Sequence, residues 1–357
     1  MSTFFLLLIL LLGFLITFQI AKASEYVGIL KGEKKNFDQN NRINGFLMIV
    51  FLVLGLIGVY WCNELFKGKI LGESASEQGE KIDTMLHITL GITGAVFFIT
   101  QILLFWFAYK YQYSEKRTAF YYPHNNKLEV IWTVIPAIAL TVLVGFGLYY
   151  WFRITGDAPK DAMQVEITGK QFNWIYRYPG KDNIFGKKYF RNISDEKDNQ
   201  LGLIWDDPAT HDDIVENTAL YLIVNKPVKL IINSRDVIHD VGLSHFRMKM
   251  DAVPGTPTTM WFTPKFTTEE MRKKLNDPEF DYEISCDQMC GRGHFSMKGI
   301  VKVVTEEEFI LWRAKEKSNY ARVFPPATNP GKTDSAKVQA TAKAANETAA
   351  KLIAGTK

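Results

Sequence analysis

Four runs of residues, roughly 3–21, 44–62, 86–109 and 131–152, are each long and apolar enough to cross a bilayer, and they constrain the fold before anything else does. The charge between them orients the chain. The stretch 22–43 carries Lys22, Lys31, Lys34, Lys35 and Arg42, and 110–130 carries Lys110, Lys116, Arg117 and Lys127. The stretch 62–86 has only Lys67, Lys69 and Lys81 among five acids. Basic loops stay in the cytoplasm, so 22–43 and 110–130 belong inside, with 62–86 and everything after the fourth run outside. A cleaved leader ending at Ala21-Lys22-Ala23 is the competing reading. Its apolar run exceeds the roughly 7–15 residues of a signal core, and no basic residue precedes it.

Composition separates two halves. The mean hydropathy of -0.06 averages an apolar N-terminal region, 1–152, with a remainder of globular composition. A formal charge of +4 over 357 residues is too small to point to a nucleic-acid partner. Short apolar or alternating runs, separated by Pro, Gly, Asn and Asp, predict strands at Met163–Gly169, Gln171–Tyr178, Ala219–Val224, Val228–Ile232, Thr258–Thr263, Tyr282–Cys286 and Gly299–Val304. Many short strands imply a sandwich or barrel. Thr267 before Glu269-Glu270 and Thr305 before Glu306 to Glu308 are helix N-caps. The expected organisation is an anchor of about four transmembrane helices over 1–152, an all-β domain over 153–320, and a low-complexity, disordered tail over 321–357.

The chemistry concentrates in Cys286-Asp-Gln-Met-Cys290-Gly-Arg-Gly-His294-Phe-Ser-Met297, with an isolated His239 upstream in Ser234-Arg-Asp-Val-Ile-His239. Thiolates with imidazole suit copper or zinc, and the thioether favours copper, because zinc seldom takes Met. A mononuclear blue-copper site needs one Cys, two His and a weak axial Met. Here there is one Cys more, and a second thiolate is used economically by bridging a second copper. A Cys-x3-Cys pair alone also fits a disulfide, a zinc half-site or two buried thiols. Cys62 ends an apolar run and reads as an inert buried thiol.

A Cys-x3-Cys-x3-His-x2-Met loop after Ser-x-Asp-Val-x-His resembles the dinuclear CuA centre of cytochrome c oxidase subunit II. The resemblance implies that Cys286 and Cys290 bridge both coppers, that His239 and His294 bind one each, and that Met297 and the Gln288 carbonyl are weak axial ligands. It also implies a cupredoxin-like Greek-key barrel with the copper at one end. The family is the electron-receiving subunit of a respiratory oxidase. A c-type cytochrome, or a donor respiratory complex, supplies electrons that pass to the haems of catalytic subunit I for oxygen reduction coupled to proton translocation. Its place is the bacterial cytoplasmic (inner) membrane, multi-pass, with the copper domain on the extracytoplasmic side. Lys249-Met-Asp251-Ala-Val-Pro254-Gly255 matches another family turn.

Asn126-Lys-Leu-Glu129-Val-Ile-Trp132-Thr-Val-Ile-Pro136 is similar to a second family segment, where the carboxylate stands at the mouth of a proton channel in the catalytic subunit. On this resemblance Glu129 takes up protons; a solvated charge at a helix start is the plainer account. Three departures stand out. Phe172 occupies the position where many members carry the Trp that receives electrons, so Phe172 or nearby Trp174 serves. Gln288 replaces a Glu that helps hold a magnesium ion shared with the catalytic subunit, and an amide is the weaker ligand. Residues 181–218 read as an insertion. A quinol oxidase subunit II lacks the copper ligands. Nitrous oxide reductase has a similar copper domain but lacks the membrane segment matched by Leu128–Pro136. No Cys-x-x-Cys-His is present, so no c-type haem is attached.

Overall fold

The computed structural model describes residues 2–69 and 72–325, so the tail from 326 onward lies outside the described residues. The chain divides into two compact units, one containing 87–140 and the residues before 72, the other containing 72–86 and the chain from 141.

In the first unit each apolar run lies within a longer helix. α1 (Ser2–Lys31) and α2 (Glu33–Phe66) are separated at Gly32, whose φ of 80° suits glycine. α3 (Glu77–Lys110) and α4 (Asn126–Thr155) follow. All four are long and apolar enough to cross a membrane. Their polar ends extend the apolar runs because Glu, Lys and Gln are themselves good helix formers. The two basic stretches meet: Lys34 pairs with Glu115 at 2.9 Å, and the Asn41 amide donates to the Tyr113 carbonyl at 2.7 Å. Phe37 packs edge-on against Tyr113, and Phe51 packs on Phe105. Cys62 is exposed, contrary to expectation, since nothing else in the described chain covers that part of α2.

The second unit is built on two five-stranded sheets. One has the order β3 (Ile214–Glu216), β2 (Asn173–Tyr178), β1 (Met163–Lys170), β5 (Val228–Ser234) and β8 (Thr258–Phe262). The other runs β4 (Ala219–Ile223), β10 (Lys298–Val304), β9 (Tyr282–Cys286), β6 (His239–Leu243) and β7 (Met248–Ala252). β1 with β5 and β4 with β10 are parallel pairs between otherwise antiparallel strands, which requires crossover connections. Val165, Ile167, Leu230 and Ile232 of one sheet share a core with Val241, Ile284, Val301 and Val303 of the other. α5 (Thr268–Leu275) and α6 (Glu306–Lys315) start at Thr267 and Thr305, each with a complete capping box. β6 and β7 appear where no strand was expected; Asp240, Gly242, Lys249 and Asp251 dilute their apolar pattern.

The insertion covers the second face of β2. Trp174, Tyr176 and Tyr178 point into the main core, while Ile175 packs with Leu201, Leu203 and Val215 in a smaller cluster beneath the insertion. On that covered face Arg177 is 1% exposed and donates to Glu166, Asp213 and the Gly186 carbonyl. A guanidinium buried so deeply requires this complete set of acceptors. The fold also continues past residue 320: α7 (Asn319–Val323) leads to Phe324, whose ring stands edge-on to Trp205 of the insertion at 5.8 Å.

Residues 72–86 are an integral part of this unit. Ala75 is fully buried in the core; its N–H donates to the His245 carbonyl and its own carbonyl accepts from Lys265 N–H. Ser76 bridges Pro264, and its hydroxyl donates to the Phe246 carbonyl at 2.7 Å. In the first turn of α3, Gly79 permits the close approach, because a Cβ there would sit 2.9 Å from the Phe246 carbonyl oxygen. Asp83 then accepts from Arg247 at 2.8 Å.

Candidate metal centre

Strand pairing brings the ligand set together. β6 begins at His239 and β9 ends at Cys286, and the two strands pair antiparallel with Val241 opposite Cys286. The loop after β9 then returns to β10 through a 3-10 turn, His294–Ser296, and the Cys286 N–H donates to the Met297 carbonyl at 3.0 Å. That closure folds Cys290, His294 and Met297 back over Cys286.

The two thiols are 3.7 Å apart. His239 Nδ1 lies 3.7 Å from Cys286 Sγ, and His294 Nδ1 lies 3.8 Å from Cys290 Sγ. Met297 Sδ is 3.8 Å from Cys290 Sγ, and the Cys286 thiol donates to the Gln288 carbonyl at 3.1 Å. All six positions singled out in the sequence therefore meet in one place. Ligand atoms of His239, Cys286 and Cys290 lie within 4.8 Å of one another. Most of the set is shielded from water: His239 and Met297 are fully buried, Cys286 and Cys290 are 7% and 4% exposed, and His294 is half-buried. His245 stands apart, packed against Phe280 and Tyr282.

The donors fit a soft metal. A thiolate bonds a metal such as zinc at about 2.3 Å, so sulfurs 3.7 Å apart can share one or two ions. Burial, with the neighbouring Cys286 thiol, pushes the Cys290 thiol up to about 11. Metal binding here must therefore displace protons.

The outer partners are ordered. His239 Nε2 lies 2.7 Å from Asp236 Oδ1, which leaves Nδ1 facing the sulfur. Asp236 also accepts from the backbone N–H of Gln171 and of Val237, each at 2.7 Å. Burial alone would raise the Asp236 carboxyl, but these donors and His239 together hold it below its usual value. Neither Asp236 nor Gln171 was singled out in the sequence. A carboxylate three residues before a candidate His ligand was the one available signal.

Phe172 and Trp174 have different surroundings. Phe172 is 39% exposed and lies against Gly291 and Gly293; a Cβ on Gly293 would fall 2.5 Å from its ring. Trp174 is 1% exposed, edge-on to His239 with ring centroids 6.0 Å apart. Asp281, Glu283 and Asp287 already pair with Arg272, Lys298 and Lys249. Gln288 is exposed. Glu129 is exposed in the first turn of α4, where its carboxylate accepts from Asn125 N–H at 3.4 Å and Asn125 caps Leu128 N–H.

Sequence profiles give the context. The family described as cytochrome C oxidase subunit II, transmembrane domain, matches residues 60–149, and its periplasmic domain matches 163–304. An alternative cytochrome c oxidase subunit 2 of Bradyrhizobium diazoefficiens is 36% identical over 238 residues, covering 66% of this chain and 80% of that protein. Cytochrome c oxidase subunit 2 of Cereibacter sphaeroides is 26% identical over 251 residues, covering 67% and 77%. The solved periplasmic domain of cytochrome oxidase subunit II from Bradyrhizobium japonicum is 27% identical, with coverage of 44% and 94% and a TM-score of 0.30.

Proposed function

We propose that this chain, which belongs to the cytochrome c oxidase subunit II family, receives electrons at a dinuclear copper centre held by His239, Cys286, Gln288, Cys290, His294 and Met297. The observation that carries the reading is the central pair of thiols with one imidazole nearest each sulfur. A mononuclear site converges its ligands on one point. Here they are strung along two sulfurs, which suits two metals bridged twice. When bound, such a pair supplies a one-electron carrier whose odd electron is shared between the metals.

The residues around the site serve that role. Asp236 holds the His239 tautomer that presents Nδ1 inward, and the buried thioether of Met297 excludes water on the Cys290 side. Phe172 and Phe295 are exposed rings at the metal loop, so a docked c-type cytochrome meets them first; Trp174 backs His239 from inside. The acids near the loop are already paired, which leaves weaker charge steering than their number suggests. Gln288 offers a shared magnesium ion no more than a neutral amide, so we assign copper alone to this chain.

The anchor fits a multi-pass topology in the bacterial inner membrane. The start of α3 and the end of α4 belong to the unit that holds the sheets, as expected of a membrane hairpin with both ends outside. The Lys34–Glu115 pair joins the two basic stretches assigned to the cytoplasm. Glu129 stands at that cytoplasmic end as the residue that would take up protons for the catalytic subunit, where the haems, oxygen reduction and proton translocation reside.

Copper analysis and paramagnetic resonance of the full-length chain in detergent, loaded under reducing conditions, test the reading. Two coppers per chain with a mixed-valence signal spread over both are expected. One copper per chain, or retention of zinc alone, overturns it.

A further inference from the structure

We propose that Gln171 is a positioning residue that locks the spacing of the metal ligands, an inference that rests on the copper reading above. Gln171 uses both of its donors at the site. Its backbone N–H donates to Asp236 Oδ2 at 2.7 Å, and its side-chain Nε2 donates to the Cys290 carbonyl at 2.6 Å. Asp236 Oδ1 is in turn 2.7 Å from His239 Nε2. His239 Nδ1 faces Cys286 Sγ at 3.7 Å, and Cys286 Sγ faces Cys290 Sγ at 3.7 Å. These contacts form a closed circuit, His239 to Asp236 to Gln171 to Cys290 to Cys286 and back.

The circuit joins three separate pieces of chain: the β1–β2 turn, the β5–β6 connection and the loop between β9 and β10. Without Gln171, backbone N–H and carbonyl groups of the metal loop bond mainly within the loop, as in His294 to Gly291, Ser296 to Gly293 and Met297 to His294. Gln171 is thus the strut that ties the Cys290 end of that loop to the Asp236 that orients His239. Gly291 leaves room for it, since a Cβ there would stand 3.0 Å from the Gln171 amide nitrogen. The ligand frame cannot widen between Cys290 and His239 without breaking one of three charge-assisted or buried hydrogen bonds. Gln171 touches no ligand atom that would bind metal, so it acts through others.

Chelator-driven copper release from the copper-loaded full-length chain tests this. Gln171→Met keeps the volume and removes the side-chain amide while leaving the backbone N–H that holds Asp236. It is expected to speed release about 10- to 100-fold, the usual effect of losing a partner outside the ligand set, and to alter the copper hyperfine pattern, with the melting temperature of the metal-free chain unchanged. Asp236→Ala opens the same circuit elsewhere, so the double variant should release copper no faster than the faster single one. Wild-type release and spectrum in Gln171→Met, strictly additive effects in the double variant, or faster release that simply follows a lowered metal-free melting temperature would each overturn the proposal. The comparison holds whatever the copper count. One copper per wild-type chain would sink the dinuclear reading, while the ratio of release rates still decides the role of Gln171.

Discussion

Cys286 and Cys290 face each other with their sulfurs 3.7 Å apart, in contact but unbonded, on opposite sides of a tight loop. A disulfide needs about 2.0 Å between sulfurs. The pair is therefore poised as two separate donors, and each sulfur has its own imidazole and its own weak neighbour, the Gln288 carbonyl or the Met297 thioether.

On the proposed dinuclear reading, Cys286→Ser and Cys290→Ser, tested singly, should each abolish the delocalised copper signal, because either change would remove one of two bridges. Met297→Leu fills the same buried space at a cost under about 1.5 kcal/mol. It should retain both coppers and raise the reduction potential. Copper counts and potentiometry on the purified chain check all three.

Phe172→Ala and Trp174→Ala should separate docking from folding. Truncating the exposed ring should weaken a donor's docking by about 2 kcal/mol, the scale of an aromatic interface anchor, without moving the melting temperature. Trp174 is 1% exposed, so its truncation should instead destabilise the domain by about 3–5 kcal/mol. Donor-oxidation kinetics beside thermal melts distinguish them.

Glu129→Gln in the assembled oxidase should slow oxygen consumption while stopped-flow reduction of the copper centre stays at its normal rate. If Glu129 is only a helix-start charge, worth about 0.3–1 kcal/mol with the helix dipole, oxygen consumption will not change.

Gly79→Val should prise the 72–76 segment from the sheets. Its side chain would collide with the Phe246 carbonyl and two serine hydroxyls, and overpacking of this kind costs about 1–3 kcal/mol. Chemical denaturation of the full-length chain, followed through its tryptophan fluorescence, measures the loss.

Asp195 clamps the insertion to the metal end by accepting from Arg235 and Lys170, and Arg235 first, then Lys170, holds its carboxyl down to about 2. A depressed carboxyl contributes stability above its unfolded value of about 3.9, and that contribution fades as pH falls through about 2. Protection of the β1–β2 turn amides, taken relative to their intrinsic exchange rate at each pH, should therefore fall between pH 4 and 2 in the wild type. In Asp195→Asn it should start lower and show less of this fall. The clamp is half exposed, so the difference will be small.

The candidate ligands of this site are legible because twelve residues, Cys286 to Met297, carry five of the six, and the strands that alternate cleanly, such as Val228 to Ile232, announce themselves. Thr267 and Thr305 were legible for a similar local reason, since a capping box spans one turn. Contacts across the chain leave no such trace. Gln171 meets Cys290 at a separation of 119 residues, and Ser76 meets Phe246 at 170. β2 looked like an aromatic strand, but only the insertion lying over Ile175 and Arg177 explains why both of its faces are apolar or saturated. β6 carries no clear strand signal because Asp240 and Gly242 break its pattern, although it bears the candidate ligand His239.

Ala75 leaves the ribosome well before any of the strands it packs against. Chains fold as they emerge, earlier parts first, so this segment must wait in place while α3 and α4 are threaded into the membrane. Only when the second of them has returned the chain to the same side can the sheets close around it. On the proposed topology, correct membrane insertion becomes a timing condition for the soluble domain. A chain with α3 or α4 misinserted would carry every copper ligand and still fail to assemble the core that holds them.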